Sequence, residues 1–190
     1  MRSSLNLPVV IAVSVVLAWA APLNGAPPPA PLGSTAAAAE DENLIYSVFM
    51  YHFTKHVKWP DEERYQTGDL VVGVLGDTPM MTTMRGVLEK KTVNGRGITV
   101  RRYGSLDEIS GTCHILYLPP NASDQLAAAQ KQTRHGGTLL ITHRDGLGTA
   151  GSQINFTHQG GKPRFELNEG AMTEQKLRYT VALKSIAVVL

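Results

Sequence analysis

Three short runs almost free of charge constrain the fold most: Leu70-Val-Val-Gly-Val-Leu75, Cys113-His-Ile-Leu-Tyr-Leu118 and Thr138-Leu-Leu-Ile-Thr142. The second ends in a Pro119-Pro120 stop. A short apolar run bounded by turn residues reads as a strand covered on both faces, as in the middle of a parallel sheet. Helix-like segments separate the three, which gives a sheet with crossover helices.

The flanking segments complete the layout. Glu40–Lys58 is expected to be the first helix, with Ile45, Phe49, Phe53 and Val57 as its apolar stripe, widened by Leu44 and Val48. Acids crowd its start and Lys55, His56 and Lys58 its end, as the helix dipole favours. Pro60 stops it, with Trp59 in the restricted position before proline. Gly76-Asp77-Thr78-Pro79 turns into a helix running to about Lys91, with Thr78 as N-cap. A turn at Val93–Gly97 leads to a strand ending near Tyr103. Ser105–Glu108 matches a capping box, and Asn121 or Ser123 is placed to cap a helix through Gln132. Gln153–Thr157 and Lys162–Leu167, joined through Gln159-Gly160-Gly161, read as a hairpin. Asn168 is placed to cap a single last helix carrying Leu177, Val181, Ala182, Ile186 and Val189. The expected fold class is α/β: a three-layer sandwich with a mostly parallel central sheet, an antiparallel hairpin at one edge and helices on both faces.

The N-terminus carries an export pattern. Arg2 precedes the uncharged run Val9–Ala20, which is short for a bilayer span, and Ala18-Trp19-Ala20 offers a cleavage site. Residues 1–20 are therefore expected to be a signal peptide. Residues 21–39, rich in Ala and Pro without apolar periodicity, are expected to be a disordered leader, and 40–190 the folded domain. Across 190 residues, 18 basic and 16 acidic side chains give a formal charge of +2. That near balance argues against nucleic acid as a main partner. Cys113 is the sole cysteine, so an internal disulfide is impossible, and its place in the central strand reads as buried.

Several motifs offer chemistry that their context withholds. Gly146-Leu-Gly148-Thr-Ala-Gly151 spells G-x-G-x-x-G, but a strand rather than a helix follows, so the pyrophosphate site of a dinucleotide fold is missing. A turn with positive φ angles is the better account. Gly160-Gly161-Lys162-Pro163 lacks the spacing of a phosphate loop. His52 and His56, four apart on one helix face, have zinc-ligand spacing without an evident third ligand. His114, inside the central strand, reads as a packed, hydrogen-bonded histidine. Gly76 and Asp77, at a strand end where α/β sheets bind ligands, mark a candidate small-ligand site. No nucleophile–base set stands out; no enzymatic activity, cofactor or metal is expected.

Taken in order, these blocks resemble the YfiR/HmsC-like family of exported bacterial proteins. The resemblance runs through Tyr46-x-x-x-Met50-Tyr-x-Phe53 to Val57-Lys-Trp59-Pro60, then Val71-Val-Gly-Val-Leu-Gly76-Asp77 and Val93-Asn-Gly95-Arg96-x-Ile98. It continues through Cys113-His-Ile-Leu-Tyr117, Gly151-x-x-Ile154-Asn-Phe156 and Phe165-Glu-Leu-Asn168 to a final helix. It implies a periplasmic, non-enzymatic regulator that docks on the external domain of a membrane-anchored signalling protein. The best-known member represses a diguanylate cyclase and so lowers cyclic-di-GMP signalling and biofilm formation. The alternative is a periplasmic small-ligand-binding module without a cyclase partner; a second copy of the chain is a further candidate partner. The surface expected to dock is the Phe53/Trp59/Pro60 corner with the Asn168 start of the last helix, while Gly76-Asp77 is the site expected for the ligand-binding alternative. Two departures stand out. The family's redox-sensing disulfides have no counterpart here, and Lys184 stands where relatives tend to have a leucine in the last helix.

Overall fold

The computed structural model describes residues 32–134 and 136–190; the expected signal peptide and most of the expected leader lie outside them. The chain opens with α1 (Leu32–His56), β1 (Val57–Lys58) and α2 (Glu63–Gln66). β2 (Leu70–Leu75), α3 (Met80–Leu88), β3 (Thr92–Val93) and β4 (Arg96–Tyr103) follow. After a 3-10 turn at Leu106–Glu108 come β5 (Ile115–Leu118), a second at Pro120–Gln125, α4 (Leu126–Thr133) and β6 (Leu139–Thr142). The last third holds β7 (Ile154–Gln159), β8 (Lys162–Leu167), α5 (Glu169–Glu174), β9 (Arg178–Tyr179), α6 (Val181–Ile186) and β10 (Val188–Val189).

Eight strands form one sheet in the order β10-β8-β7-β6-β5-β2-β4-β3. β4, β2, β5, β6 and β7 run parallel, and β7–β8 is the expected antiparallel hairpin. Its turn glycines, Gly160 and Gly161, both have positive φ, as the twist of a tight hairpin requires. β10 adds a short parallel strand outside that hairpin, and β3 pairs antiparallel with β4 at the other edge. The three uncharged runs are the central strands β2, β5 and β6, and all of their strand residues are buried.

Side-chain alternation splits the core in two. One face of the sheet, with Val72, Val74, Ile115, Tyr117 and Ile141, packs under α1 and α3 through Met50, Phe53 and Met84. The other face, with Leu75, Leu116, Leu118 and Leu140, packs under α4 through Leu126 and Ala129. This is the expected three-layer α/β sandwich.

Four local expectations are corrected. The first helix begins at Leu32, so Leu32–Ala39 of the expected disordered leader are helical. Alanine is the strongest helix former and needs no apolar stripe to stay helical. The helix is also turned from the expected phase. Tyr46, Met50 and Phe53 are its buried face, while Leu44, Ile45 and Val48 are exposed. From Leu44 to Phe53 apolar side chains occupy most faces, so that stretch leaves its phase to its neighbours. It stops at His56, and Val57–Lys58 become a strand paired with Arg178–Tyr179. The single last helix is two helices: Lys176 turns at φ 56, β9 intervenes, and the Thr180 hydroxyl accepts from the Leu183 amide to start α6. Asn168 caps only α5.

Two further caps act elsewhere. Ser105 does not cap; the Glu108 carboxylate accepts from the Gly104 amide. Ser123 donates back to the Leu118 and Pro119 carbonyls, and Asn121 to Asp77.

Candidate functional site

The expected corner lies where α1 hands over to the sheet. Phe53 is fully buried, edge-on to Phe165 at 5.0 Å, and so cannot form a free surface. Trp59 is also buried. Its ring meets that of His114 edge to face at 5.5 Å, and its Nε1 donates to the His114 carbonyl at 3.0 Å. Pro60 is half-buried against Gly137, where a Cβ would stand 2.9 Å from the proline ring.

His114 is the packed histidine its position promised. Its Nδ1 accepts from the Val71 amide at 3.0 Å. That leaves the proton on Nε2, which donates to the Tyr65 carbonyl at 3.3 Å. Burial pushes its pKa down to about 4, so the ring is neutral. Arg96 gathers the carbonyls of Tyr65, Thr67 and Gly68 nearby. This corner is a cross-braced joint.

Gly76 and Asp77 sit at the far end of β2. β4 and β5 flank β2 on opposite sides, so its C-terminal end is the topological switch point of the sheet. Gly76 turns at φ 76 and its amide donates to the Tyr103 carbonyl. The Asp77 carboxylate is exposed, 3.6 Å from Arg102, while its carbonyl accepts from Asn121 across the crevice. Asn168 accepts from the Ala171 amide and donates to the Gly148 carbonyl. Next to it Glu169 binds Lys184 at 2.7 Å and the Tyr179 hydroxyl. The departure at Lys184 is thus an exposed ion pair. Phe53, Trp59 and Pro60 lie at the opposite end of β2 from Gly76 and Asp77, so the six positions do not form one site.

A cluster that sequence spacing hides lies beyond the ends of β5, β6 and β7. Glu42 of α1 faces two imidazoles, with Oε2 3.3 Å from His158 Nε2 and Oε1 3.8 Å from His143 Nε2. The Tyr117 hydroxyl reaches His143 Nδ1 at 3.3 Å. Tyr46 stacks on Phe156 at 4.3 Å and meets His143 edge-on at 4.7 Å. Burial lowers the His143 pKa, and Glu42 opposes that shift. The arrangement pins the middle of α1 to the sheet. Among the described residues no group of three His, Cys, Asp or Glu is placed to hold a metal, and His52 and His56 stack on each other at 6.0 Å.

Between the exposed Asp41 and Lys55, α1 turns three apolar side chains outward. Leu44, Ile45 and Val48 are 47, 38 and 37% exposed. At about 100° per residue they fall within roughly 100° of arc, opposite Tyr46 and Met50. Among the described residues no helix is long and apolar enough to cross a membrane.

No curated protein matches the chain. Among solved structures, a conserved domain protein from Vibrio cholerae O1 biovar El Tor strain N16961 is similar at 11% identity and a TM-score of 0.43. The match covers 63% of this chain and 54% of that one, about half its length. The YfiR/HmsC-like family matches residues 45–188, from the middle of α1 into β10. With most of its length matched in this way, the chain belongs to the YfiR/HmsC-like family.

Proposed function

We propose that the protein is an exported, periplasmic and non-enzymatic regulator that docks on the external domain of a membrane-anchored signalling protein. A diguanylate cyclase is the partner that family membership favours. The observation that carries the reading is the outward row Leu44, Ile45 and Val48. These side chains stand on a 25-residue helix whose opposite face is locked into the core, so presenting them costs little ordering. An aliphatic row at such spacing suits helix-in-groove or helix-on-helix packing. Trp59, Pro60 and Asn168 contribute by holding the frame.

The test is site-specific photocrosslinking at Val48 in the native envelope, with cyclic-di-GMP measured alongside. The expected product is a membrane signalling protein, lost in Leu44→Asp and Ile45→Asp but kept in the control Val181→Asp, whose side chain is 84% exposed elsewhere. Crosslinks to no membrane protein, or a signalling level indifferent to both variants, would sink the docking role. Mass spectrometry of the mature N-terminus tests export; an intact Met1 would contradict it.

A further inference from the structure

A cavity of about 460 Å³ opens between the end of α4, the loop before β7 and the end of α5. Gln130, Arg134, Gly151, Gln153, Glu174 and Gln175 line it, so it presents three carboxamides and one charge of each sign. The volume falls within the range of small-molecule sites, but this lining suits a hydrophilic guest.

Two of the carboxamides are committed to the wall. Gln153 accepts from the Leu140 amide at 2.8 Å and donates to the Ala171 carbonyl at 3.3 Å. Gln130 donates to the Ala150 carbonyl at 3.3 Å. Gln175 differs: it is 6% exposed, and its Oε1 is buried with no hydrogen-bond partner among the described residues. Buried polar atoms are nearly always paired, and an unpaired one costs about 1–3 kcal/mol. Either orientation of the carboxamide leaves its buried end needing a partner.

Gly151, the last glycine of the G-x-G-x-x-G stretch, closes the wall at φ 100. A Cβ there would stand 2.6 Å from Gln130 Nε2. The tip of the Gln130 side chain could swing aside, so it is the positive φ that calls for glycine here, as a turn does without any dinucleotide. Arg134 and Glu174 are both exposed at the rim, offering a guanidinium for a carboxylate and a carboxylate for an amine.

We propose that this cavity binds a small polar zwitterion of amino-acid or dipeptide size, its carboxylate on Arg134 and its ammonium on Glu174. It shares no residue with the outward row of α1, so it stands or falls independently of the docking role.

The experiment is 15N NMR of the mature protein titrated with L-glutamine and glycylglycine, then with N-acetyl-L-glutamine and L-glutaminamide. Saturable shifts are expected at the amides of Gly151 and Gln175. Blocking either end of the ligand, or Arg134→Ala, should weaken binding about tenfold or more. Glu174→Gln should weaken it similarly, and both Arg134 and Glu174 are exposed, so neither exchange disturbs a buried group. Leu44→Asp should bind as the parent does. No saturable shift up to about 10 mM, shifts confined to another surface, or equal binding of the blocked compounds would overturn the assignment.

Discussion

Trp59 Nε1 donates to the main-chain oxygen of His114 at 3.0 Å, and the same oxygen accepts the Leu139 amide at 2.9 Å. One carbonyl thus ties the exit of α1 to the β5–β6 pairing. Trp59→Phe keeps most of the packing and leaves the carbonyl satisfied, so it should cost about 1 kcal/mol. Trp59→Ala opens a cavity and should cost about 3–5 kcal/mol. Urea unfolding checks both. Equal losses would mean that packing is not what Trp59 contributes.

His114 makes stability depend on pH with a defined sign. Folding lowers its pKa from 6.5 to about 4. Above pH 6.5 both states are neutral and the group contributes no slope. Between 6.5 and about 4 the unfolded chain takes up a proton that the folded chain refuses, so stability falls with falling pH. From pH 8 to pH 5 the loss should be about 2 kcal/mol. His114→Asn should remove most of that slope whatever it does to stability at pH 8. An unchanged slope in that variant would assign the pH dependence elsewhere; His143, also lowered by burial, would be examined next.

The central strands were legible because Leu70–Leu75 and Thr138–Thr142 lack the polar alternation of a half-exposed strand, and burial on both faces is the remaining account. The β7–β8 turn was legible because paired glycines supply positive φ cheaply. The phase of α1 was not. Ile45/Phe49/Phe53 and Tyr46/Met50/Phe53 are both apolar rows, and only the sheet beneath selects the second. The break at Lys176 was hidden because a left-handed lysine has no strong sequence signature, and β9 exists only through pairing with a segment some 120 residues away. Glu42, His143 and His158 meet through tertiary structure alone, so no spacing rule finds them. In sequence the Trp59-Pro60 pair reads as a surface corner; the Trp59 hydrogen bond to the main chain of His114 turns the tryptophan inward.

Cys113 should be chemically silent in the folded protein. It is buried, its thiol donates to the Ile115 carbonyl at 3.0 Å, and burial pushes its pKa up to about 12. At pH 8 the thiolate fraction is about one in ten thousand. A chromogenic disulfide reagent should report essentially no thiol natively and one per chain in denaturant. Rapid native labelling would show that the sheet opens around β5, and would restore a redox role through intermolecular pairing.

Gly73 carries the tightest steric demand in the central sheet. It lies in β2 between Arg101 of β4 and Leu116 of β5. A Cβ there would stand 2.7 Å from Tyr103 Cε2 and 2.9 Å from Cys113 Sγ. Alanine in a strand usually gains about 0.5–1 kcal/mol over glycine from the unfolded chain's lost freedom. Here the overlap should outweigh that gain and leave Gly73→Ala about 1–3 kcal/mol less stable. Cys113→Ala removes one of the two contacts, so the double variant should be more stable than the sum of the single losses, by about 1 kcal/mol. The remainder is set by the buried Tyr103 ring, which has little room to rotate away. Denaturant unfolding of the four proteins gives the coupling directly, and strict additivity would show that the strand shifts as a whole instead of pressing on Cys113.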